Sequence, residues 1–81
     1  MNTKLYVKNL SFNTEPFDLE KLFSNLGEVV SVEIPKNRSS GRSNGFALVV
    51  MKNQQGADEV VKSLNNTIFK NSKIKINIIN E

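Results

Sequence analysis

The sequence has no cysteine and no histidine. Disulfide bonds, thiolate chemistry, Cys/His zinc sites and acid–base catalysis by histidine are therefore excluded, and neither a cofactor nor a metal is predicted. No stretch approaches the roughly 18 apolar residues of a membrane span, and the chain begins with MNTKLYVKN, which lacks the apolar core of a secretion signal. We therefore expect a soluble, intracellular protein of the nucleus or the cytoplasm, without a membrane partner.

The length of the chain limits its core. A chain of 81 residues buries only about 60% of the surface that its unfolded form exposes, so it has room for one core and not for two. Neither a linker nor a low-complexity segment divides the sequence. We predict that residues 1–81 form a single domain, and we expect this domain to be a monomer.

Four segments have the residue patterns of β-strands. Three of them alternate apolar and polar residues, which is the period of a half-buried strand, whereas the remaining one, NGFALVVM, is apolar on both faces. The segments are KLYVKNL (4–10), EVVSVEI (28–34), NGFALVVM (44–51) and KIKINII (73–79). A short extra strand is predicted at TIF (67–69), before a left-handed turn at Asn71.

Two segments have the period of an amphipathic helix, with apolar residues at positions i, i+3, i+4 and i+7. These residues are Leu19, Leu22, Phe23 and Leu26 in the first segment, and Ala57, Val60, Val61 and Leu64 in the second. The helices are predicted over residues 15–27 and 54–65. In the first helix, Thr14 is the expected N-cap, Pro16 fits the first turn and Gly27 is expected to end the helix.

The resulting order of elements is βαββαβ, a split pair of βαβ units that predicts a ferredoxin-like α+β sandwich. Crossovers of one hand place both helices on the same face of a four-stranded antiparallel sheet, with the strands in the order 4-1-3-2. The side chains expected to face the helices are Leu5, Val7, Val30, Val32, Ile34, Ala47, Val49, Met51, Ile74, Ile76 and Ile78. The opposite face of the sheet is left without a helix.

Alternation sends two aromatic side chains, Tyr6 and Phe46, to that uncovered face on the two central strands. They are accompanied by Lys4, Lys8, Leu48, Val50, Lys73, Lys75 and Asn77. Exposed apolar clusters usually mark interaction sites, and flat rings amid cations suit stacked bases and a phosphate chain. The charge distribution agrees, because the helical segments carry a net charge of −3 and the rest of the chain +6, which gives the total of +3.

Two segments resemble the motifs of a known family. The six-residue ribonucleoprotein motif of RNA recognition motif domains is similar to LYVKNL (5–10), and the eight-residue motif of those domains is similar to NGFALVVM (44–51). This resemblance implies single-stranded RNA as the partner, with Tyr6 stacking a base and Phe46 packing on or between sugars. It also implies contacts to base edges or phosphate from Lys8, Asn9, Lys75 and Asn77.

The sequence departs from the family pattern at three positions of the eight-residue motif. Asn44 replaces the leading Arg or Lys, Leu48 replaces a base-stacking aromatic residue, and Met51, on the core side, replaces the last aromatic residue. We expect weaker binding than a full motif gives, by about 1–3 kcal/mol for the lost ring, with a loose sequence preference. Arg38 or Arg42, in the preceding loop, is expected to restore the phosphate contact.

Two other classes of function are alternatives. A protein-binding module would hold a protein partner on the apolar residues Leu48 and Val50 of the sheet face, or on a helix face. An enzyme is not expected, because the NLSFN segment (9–13) lacks the glycine-rich anion loop and the arginine of acylphosphatases, which share this topology. The chain also pairs no nucleophile with a base.

Overall fold

Six strands and two helices follow one another along the chain in this computed structural model, which describes residues 2–36, 39, 41 and 45–79. The elements are β1 (Thr3–Lys8), α1 (Pro16–Phe23), β2 (Val29–Glu33), β3 (Ala47–Met51), α2 (Gln54–Leu64), β4 (Ile68–Phe69), β5 (Ser72–Lys73) and β6 (Lys75–Ile79). Four strands form an antiparallel sheet in the order β2-β3-β1-β6, and β4 pairs with β5 in a separate hairpin. The predicted ferredoxin-like α+β fold and its strand order are confirmed, with β6 as the predicted fourth strand.

The central strands of the sheet each have one buried face. β1 pairs with β3 on one side and with β6 on the other. In β1, Leu5 and Val7 are completely buried, Lys4 and Lys8 are exposed, and Tyr6 is half-buried, as alternation along a strand requires. In β3 the buried alternate residues are Ala47, Val49 and Met51. The long apolar run in β3 therefore supplies the core with one face and leaves the other half-buried.

Both helices pack their predicted apolar stripes on the same face of the sheet. Leu19 and Phe23 of α1 are fully buried, as are Ala57 and Val60 of α2, and burial of a side chain the size of leucine or phenylalanine contributes about 1.5–3 kcal/mol. The partly buried residues packed around them are Leu22, Leu26, Val61 and Leu64. No helix covers the opposite face of the sheet within the described residues. This is termed the open face, and it carries Tyr6, Leu48 and Val50.

One predicted core residue lies elsewhere. Val30 is 51% exposed, although the alternation of its segment predicts that it faces the helices. The register of β2 shifts between Val29 and Ser31, where a β-bulge inserts an extra residue opposite β3. As a result Val29, which lies opposite the buried Met51, packs against the core in place of Val30. The other predicted inward residues are buried or pack against the core.

The start of α1 differs from the prediction by one residue. Glu15 is the N-cap in place of Thr14, and its backbone N–H donates to Oδ2 of Asp18 at 2.8 Å. Thr14 is buried, and its hydroxyl hydrogen-bonds with the Ser11 hydroxyl at 2.8 Å. The Thr14 side chain therefore stabilises the turn before the helix instead of capping it. Pro16 begins the helix, as predicted.

The end of α1 also comes earlier than predicted, at Phe23. Gly27 does not end the helix but allows a close approach between two segments. A Cβ atom at Gly27 would lie 2.8 Å from Cα of Gly56, which is in the first turn of α2, and 3.1 Å from the methyl carbon of Met51. The absence of a side chain therefore lets the segment after α1 contact α2 directly.

The β4–β5 hairpin confirms the predicted short strand after α2. Its turn has positive φ at Lys70 (50°) and at Asn71 (66°), as in a type I′ turn, so the left-handed Asn71 is also confirmed. Lys73 belongs to β5 of this hairpin and not to the main sheet, which corrects the sequence prediction. The reason is that the chain first pairs back on itself, with the N–H of Ile74 donating to the Thr67 carbonyl at 2.9 Å.

Candidate nucleic-acid interface

The strand register arranges the side chains of the open face in rows. In the central row, Tyr6 of β1 lies opposite Leu48 of β3 on one side and opposite Asn77 of β6 on the other. Leu48 in turn lies opposite Glu33 of β2. Because directly opposed residues in a sheet project to the same face, these four side chains form one continuous strip across the four strands.

Two further sets of side chains flank the central row. The row toward the N-terminal end of β1 consists, in order across the sheet, of Ser31, Val50, Lys4 and Ile79. On the other side of the central row, Lys8 lies opposite Lys75. The open face thus combines apolar surface with ammonium groups, as the sequence predicts.

The rings of Tyr6 and Phe46 are in contact on the open face. Their centroids are 5.4 Å apart and their planes are inclined by 79°, which is an edge-to-face pair. Both side chains are half-buried, so part of each ring is accessible. Phe46 follows Gly45, which has a φ of 83° and accepts a hydrogen bond from the Leu10 N–H at 2.8 Å. Because a side chain is strained at such a φ, glycine suits the path that brings Phe46 next to Tyr6.

The two paired lysines of the open face have different surroundings. Nζ of Lys8 lies 5.8 Å from the centroid of the Tyr6 ring, which is within the range of a cation–π contact. The ammonium of Lys75 instead donates a hydrogen bond to the side-chain oxygen of Asn66, just after α2. Lys8 is therefore part of the aromatic cluster, whereas Lys75 is partly engaged at the edge of the sheet.

The residue that follows β1 is tied to the hairpin. Asn9 has a left-handed backbone with a φ of 63°, and its Nδ2 donates to the Lys73 carbonyl at 2.8 Å. Asparagine tolerates this backbone conformation better than most residues. The side-chain nitrogen of Asn9 thus bonds within the protein and positions Lys73 beside the end of β1.

The structure brings most of the predicted site residues together. Those that share the open face are Lys4, Tyr6, Lys8, Leu48, Lys75 and Asn77, and Phe46 joins them through its contact with Tyr6. Asn9 and Lys73 lie at the hairpin end of β1. Arg38, Arg42 and Asn44 lie outside the described residues.

The sequence prediction left several residues of the open face out of the RNA site, among them Ile79 and Glu33. Ile79 lies opposite Lys4, and Glu33 lies opposite Leu48. Strict alternation from Asn77 and from Ser31 points to both positions. Ile78 and Ile79 are both apolar, so composition does not show which of the two faces away from the core. Glu33 was left out because its side chain is a carboxylate, whereas the other charged side chains of the predicted site are cations.

A cleft on the opposite side of the molecule lies between α1 and the β4–β5 hairpin. It has a volume of about 300 Å³ and is lined by Asp18, Lys21, Leu22, Asn25, Phe69 and Lys70. Nζ of Lys70 donates to Oδ2 of Asp18 at 2.7 Å and to the Asn13 carbonyl at 3.1 Å. The hydrogen bond from Lys70, followed by that from the Glu15 N–H, lowers the pKa of the Asp18 carboxyl below its ordinary value.

The described part of the chain has no cluster of three or more acidic, histidine or cysteine side chains placed to hold a metal ion. Among the same residues, neither helix has the length and apolar character needed to cross a membrane.

A family model described as the RNA recognition motif matches residues 5–75 of the chain. The chain belongs to the RNA recognition motif family. The family resemblance of the two motif segments is thereby confirmed. The central strands of the sheet, β1 and β3, contain residues 5–8 of the first segment and residues 47–51 of the second, and there this RNA recognition motif carries Tyr6 and Leu48.

Proteins similar to this RNA recognition motif are named as RNA-binding proteins or as ribonucleoproteins. One is the glycine-rich RNA-binding protein 1 of Mycosarcoma maydis, 36% identical over 80 residues that cover 99% of this chain and 46% of that protein. Another is the chloroplastic 28 kDa ribonucleoprotein of Spinacia oleracea, 31% identical over 78 residues that cover 96% of this chain and 34% of that protein. The chain thus spans between a third and a half of the length of these two relatives.

Solved structures share the fold of this RNA recognition motif. The crystal structure of the RNA-binding protein PG1 superimposes with a TM-score of 0.92 at 29% identity, over 98% of this chain and 95% of that one. The structure of RNA recognition domains 1 and 2 of Sex-lethal from Drosophila melanogaster gives a TM-score of 0.85 at 26% identity, over 91% of this chain and 47% of that one.

Proposed function

We propose that this RNA recognition motif binds single-stranded RNA on its open face, through the ring pair of Tyr6 and Phe46. The observation that carries the proposal is the pair itself, two half-buried rings in contact at 5.4 Å on the sheet face. Such rings suit the stacking of unpaired bases. The names of the relatives, an RNA-binding protein and a ribonucleoprotein, support RNA as the partner.

The two rings have different roles in this proposal. Tyr6 stacks one base, and Phe46, whose plane is inclined by 79° to that of Tyr6, packs against the sugar of the bound strand. Asn77, directly opposite Tyr6 in β6, is within reach of the edge of a base on the Tyr6 ring. Its side-chain amide has donors and an acceptor for that edge.

The cations of the open face contact the phosphate chain. Lys8 lies beside the Tyr6 ring, so a base stacked there brings its phosphate close to the Lys8 ammonium. The proposal assigns the same role to Lys4, Lys73 and Lys75, and to Arg38, Arg42 and Asn44, which precede β3 in the sequence. Asn9 contributes mainly by positioning Lys73, because its side-chain nitrogen bonds to the Lys73 carbonyl.

The affinity follows from the number of rings. Each stacked base contributes about 1–3 kcal/mol, and Leu48 occupies a position where a further ring would add another platform. Two rings with a few phosphate contacts suit an affinity on the order of micromolar. Stacking is tolerant of base identity, so we expect a loose overall sequence preference.

Fluorescence anisotropy with labelled RNA tests this function. The probes are single-stranded homopolymers, a random single-stranded pool and, as the matched control, a duplex of the same length. We expect the single strands to bind and the duplex to bind more weakly, because paired bases are not available to stack on Tyr6. Binding should weaken steeply between about 50 and 200 mM salt. No binding of any single strand, or equal binding of the duplex, contradicts the proposal.

Binding of a protein partner is a second candidate function, favoured by the cleft between α1 and the β4–β5 hairpin. Leu22 and Phe69 give this cleft an apolar lining. An apolar peptide bound there, or on Leu48 and Val50, depends little on salt, unlike RNA, because no counterions are released from a phosphate chain. A flat salt response together with failure to bind RNA would favour this second function.

A further inference from the structure

A carboxylate lies on the open face beside the position that lacks a ring. Glu33 is the last residue of β2 and lies directly opposite Leu48, which lies directly opposite Tyr6. Glu33 is exposed. Among the residues that the structure describes, its carboxylate makes no hydrogen bond and no ion pair. Its two oxygens are therefore available to a ligand on the open face.

An unpaired carboxylate at this place has a cost for RNA binding. It repels the phosphate chain and opposes the attraction from the nearby lysines. That repulsion is offset only if the carboxylate accepts hydrogen bonds from the RNA. An ionised glutamate is an acceptor with two oxygens and has no donor, so its partner must present N–H groups.

The four bases differ in the N–H groups on their Watson–Crick edges. Guanine presents two adjacent donors, N1–H and the 2-amino group, which match the two oxygens of a carboxylate. Adenine and cytosine each place an acceptor nitrogen beside a single amino group, and uracil places one N–H between two carbonyl oxygens. Paired hydrogen bonds to an ionised group are strong and directional, so a carboxylate on this edge favours guanine.

The register places Glu33 within reach of such an edge. Neighbouring strands lie about 4.8 Å apart, so a base that covers Leu48 next to a base on Tyr6 extends toward β2. Leu48 offers no ring for stacking, so hydrogen bonds to the base edge matter more at this position than over Tyr6. The edge of that base then faces the Glu33 carboxylate.

We infer that Glu33 is a specificity-determining residue that selects guanine at the nucleotide position over Leu48. This inference rests on the proposed RNA binding and adds to it one preferred base at one position. The remaining positions keep the loose preference that stacking gives.

Anisotropy titrations with eight-nucleotide RNAs at fixed salt test the inference. The probes are an all-uridine strand and strands with one central guanosine, adenosine, cytidine or inosine. The wild type is expected to bind the guanosine strand about tenfold more tightly than the others, the typical gain of a good bidentate contact. Inosine keeps N1–H but lacks the 2-amino group, so it should lose most of this gain.

Glu33→Gln is the test variant, because glutamine has the same shape but only one acceptor oxygen. We expect its preference for guanosine to fall to within about twofold, while Tyr6→Ala still weakens the binding of all strands. Glu59→Gln is the matched control. It removes the same charge from an exposed position on α2 and should leave the preference for guanosine intact.

The outcomes separate this inference from the proposed function. If the wild type binds none of these RNAs, the proposed function itself is contradicted and the inference falls with it. If the wild type binds in a Tyr6-dependent way but without preferring guanosine, only the inference is overturned. The inference is also overturned if Glu33→Gln keeps the preference, or if it tightens the binding of every strand equally, because Glu33 then acts only through its charge.

Discussion

The ring of Phe46 meets the ring of Tyr6 edge to face, with 5.4 Å between the centroids and 79° between the planes. Such a pair contributes about 0.5–1.5 kcal/mol beyond the burial of its area, so the rings hold each other in place before any ligand arrives. Lys8 adds a cation 5.8 Å from the Tyr6 centroid. A nucleotide that binds here therefore meets a surface that is already ordered, and less conformational entropy is lost on binding.

Removal of either ring should weaken RNA binding without unfolding the protein. Tyr6→Ala and Phe46→Ala are each expected to reduce the affinity for single-stranded RNA by about 1–3 kcal/mol, measured by anisotropy. Phe17→Ala is the matched control, because Phe17 is a 68% exposed aromatic residue on α1 and should not affect binding. An equal loss of RNA affinity in the Phe17 variant would contradict the assignment. So would a Tyr6 variant whose circular dichroism spectrum shows that it is unfolded.

Addition of a ring at the central row should strengthen binding. Leu48→Phe places an aromatic side chain between Tyr6 and β2 and is expected to gain about 1–3 kcal/mol from one more stacked base. The control is Ile68→Phe, which adds a ring at a 68% exposed position of the hairpin. An unchanged affinity in Leu48→Phe would show that no base covers this strand position.

The lysine beside the Tyr6 ring should set part of the salt dependence. Lys8→Ala is expected to lower the slope of log affinity against log salt concentration by about 0.7–1, the effect of one lost phosphate contact on a single strand. Lys62→Ala, in the last turn of α2, should leave the slope unchanged. The same slope in wild type and Lys8→Ala would remove Lys8 from the phosphate path.

The contact between Gly27 and Gly56 should be sensitive to a single methyl group. Gly27→Ala places a Cβ 2.8 Å from Cα of Gly56 and is expected to lower the free energy of unfolding by about 1–3 kcal/mol, as overpacking does. In Gly56→Ala the new Cβ lies 3.3 Å from its nearest neighbour, Cα of Gly27, and alanine gains about 1 kcal/mol in helix propensity over glycine. The Gly56→Ala variant should therefore lose less stability than Gly27→Ala. Urea titrations measure the free energy of unfolding of both variants. Equal midpoints for wild type and Gly27→Ala would contradict this packing.

The Asp18–Lys70 pair should contribute to the pH dependence of stability. The hydrogen bond from Lys70 lowers the pKa of Asp18 in the folded state. A group with a lowered folded pKa stabilises the fold above its unfolded pKa, near pH 3.9, and loses this contribution as the pH falls through the folded pKa. Asp18→Asn cannot ionise, so its stability should fall less than that of the wild type between about pH 5 and pH 2.

Urea unfolding at a series of pH values measures the difference. Lys70→Ala removes the main cause of the lowered pKa and should reproduce much of the effect of Asp18→Asn, although the carboxyl is still present. Parallel acid profiles for the wild type and both variants would show that the pair does not contribute.

The fold could be predicted from the sequence because two periods recur strongly. Leu5 and Val7 mark the buried side of a strand, and Leu19 and Phe23 mark one side of a helix, so the topology follows from their order. The bulge in β2 could not be predicted, because Val29 and Val30 are identical in type and alternation cannot choose between them. The predicted N-cap of α1, Thr14, was wrong because the Thr14 hydroxyl hydrogen-bonds with the Ser11 hydroxyl instead.

The candidate site could be predicted to a similar extent. Tyr6 and Leu48 follow from alternation on the two central strands, and the register confirms that they lie opposite each other. Lys73 was misplaced because it continues the alternation of the KIKINII segment, whereas the structure pairs Ser72 and Lys73 with the short strand at Ile68–Phe69. The hydrogen bond from Asn9 to the Lys73 carbonyl depends on that hairpin, so it could not be foreseen either.

The most direct test of RNA binding on the open face is an NMR titration of the labelled protein with short single-stranded RNA. We expect the backbone amide signals of β1 and β3, together with those near Asn77, to shift in a saturable way. The exposed residues of α1 and α2 should remain unchanged. Shifts confined to the helices or to the cleft beside Phe69, with β1 and β3 unaffected, would contradict the assignment of the open face as the RNA-binding surface.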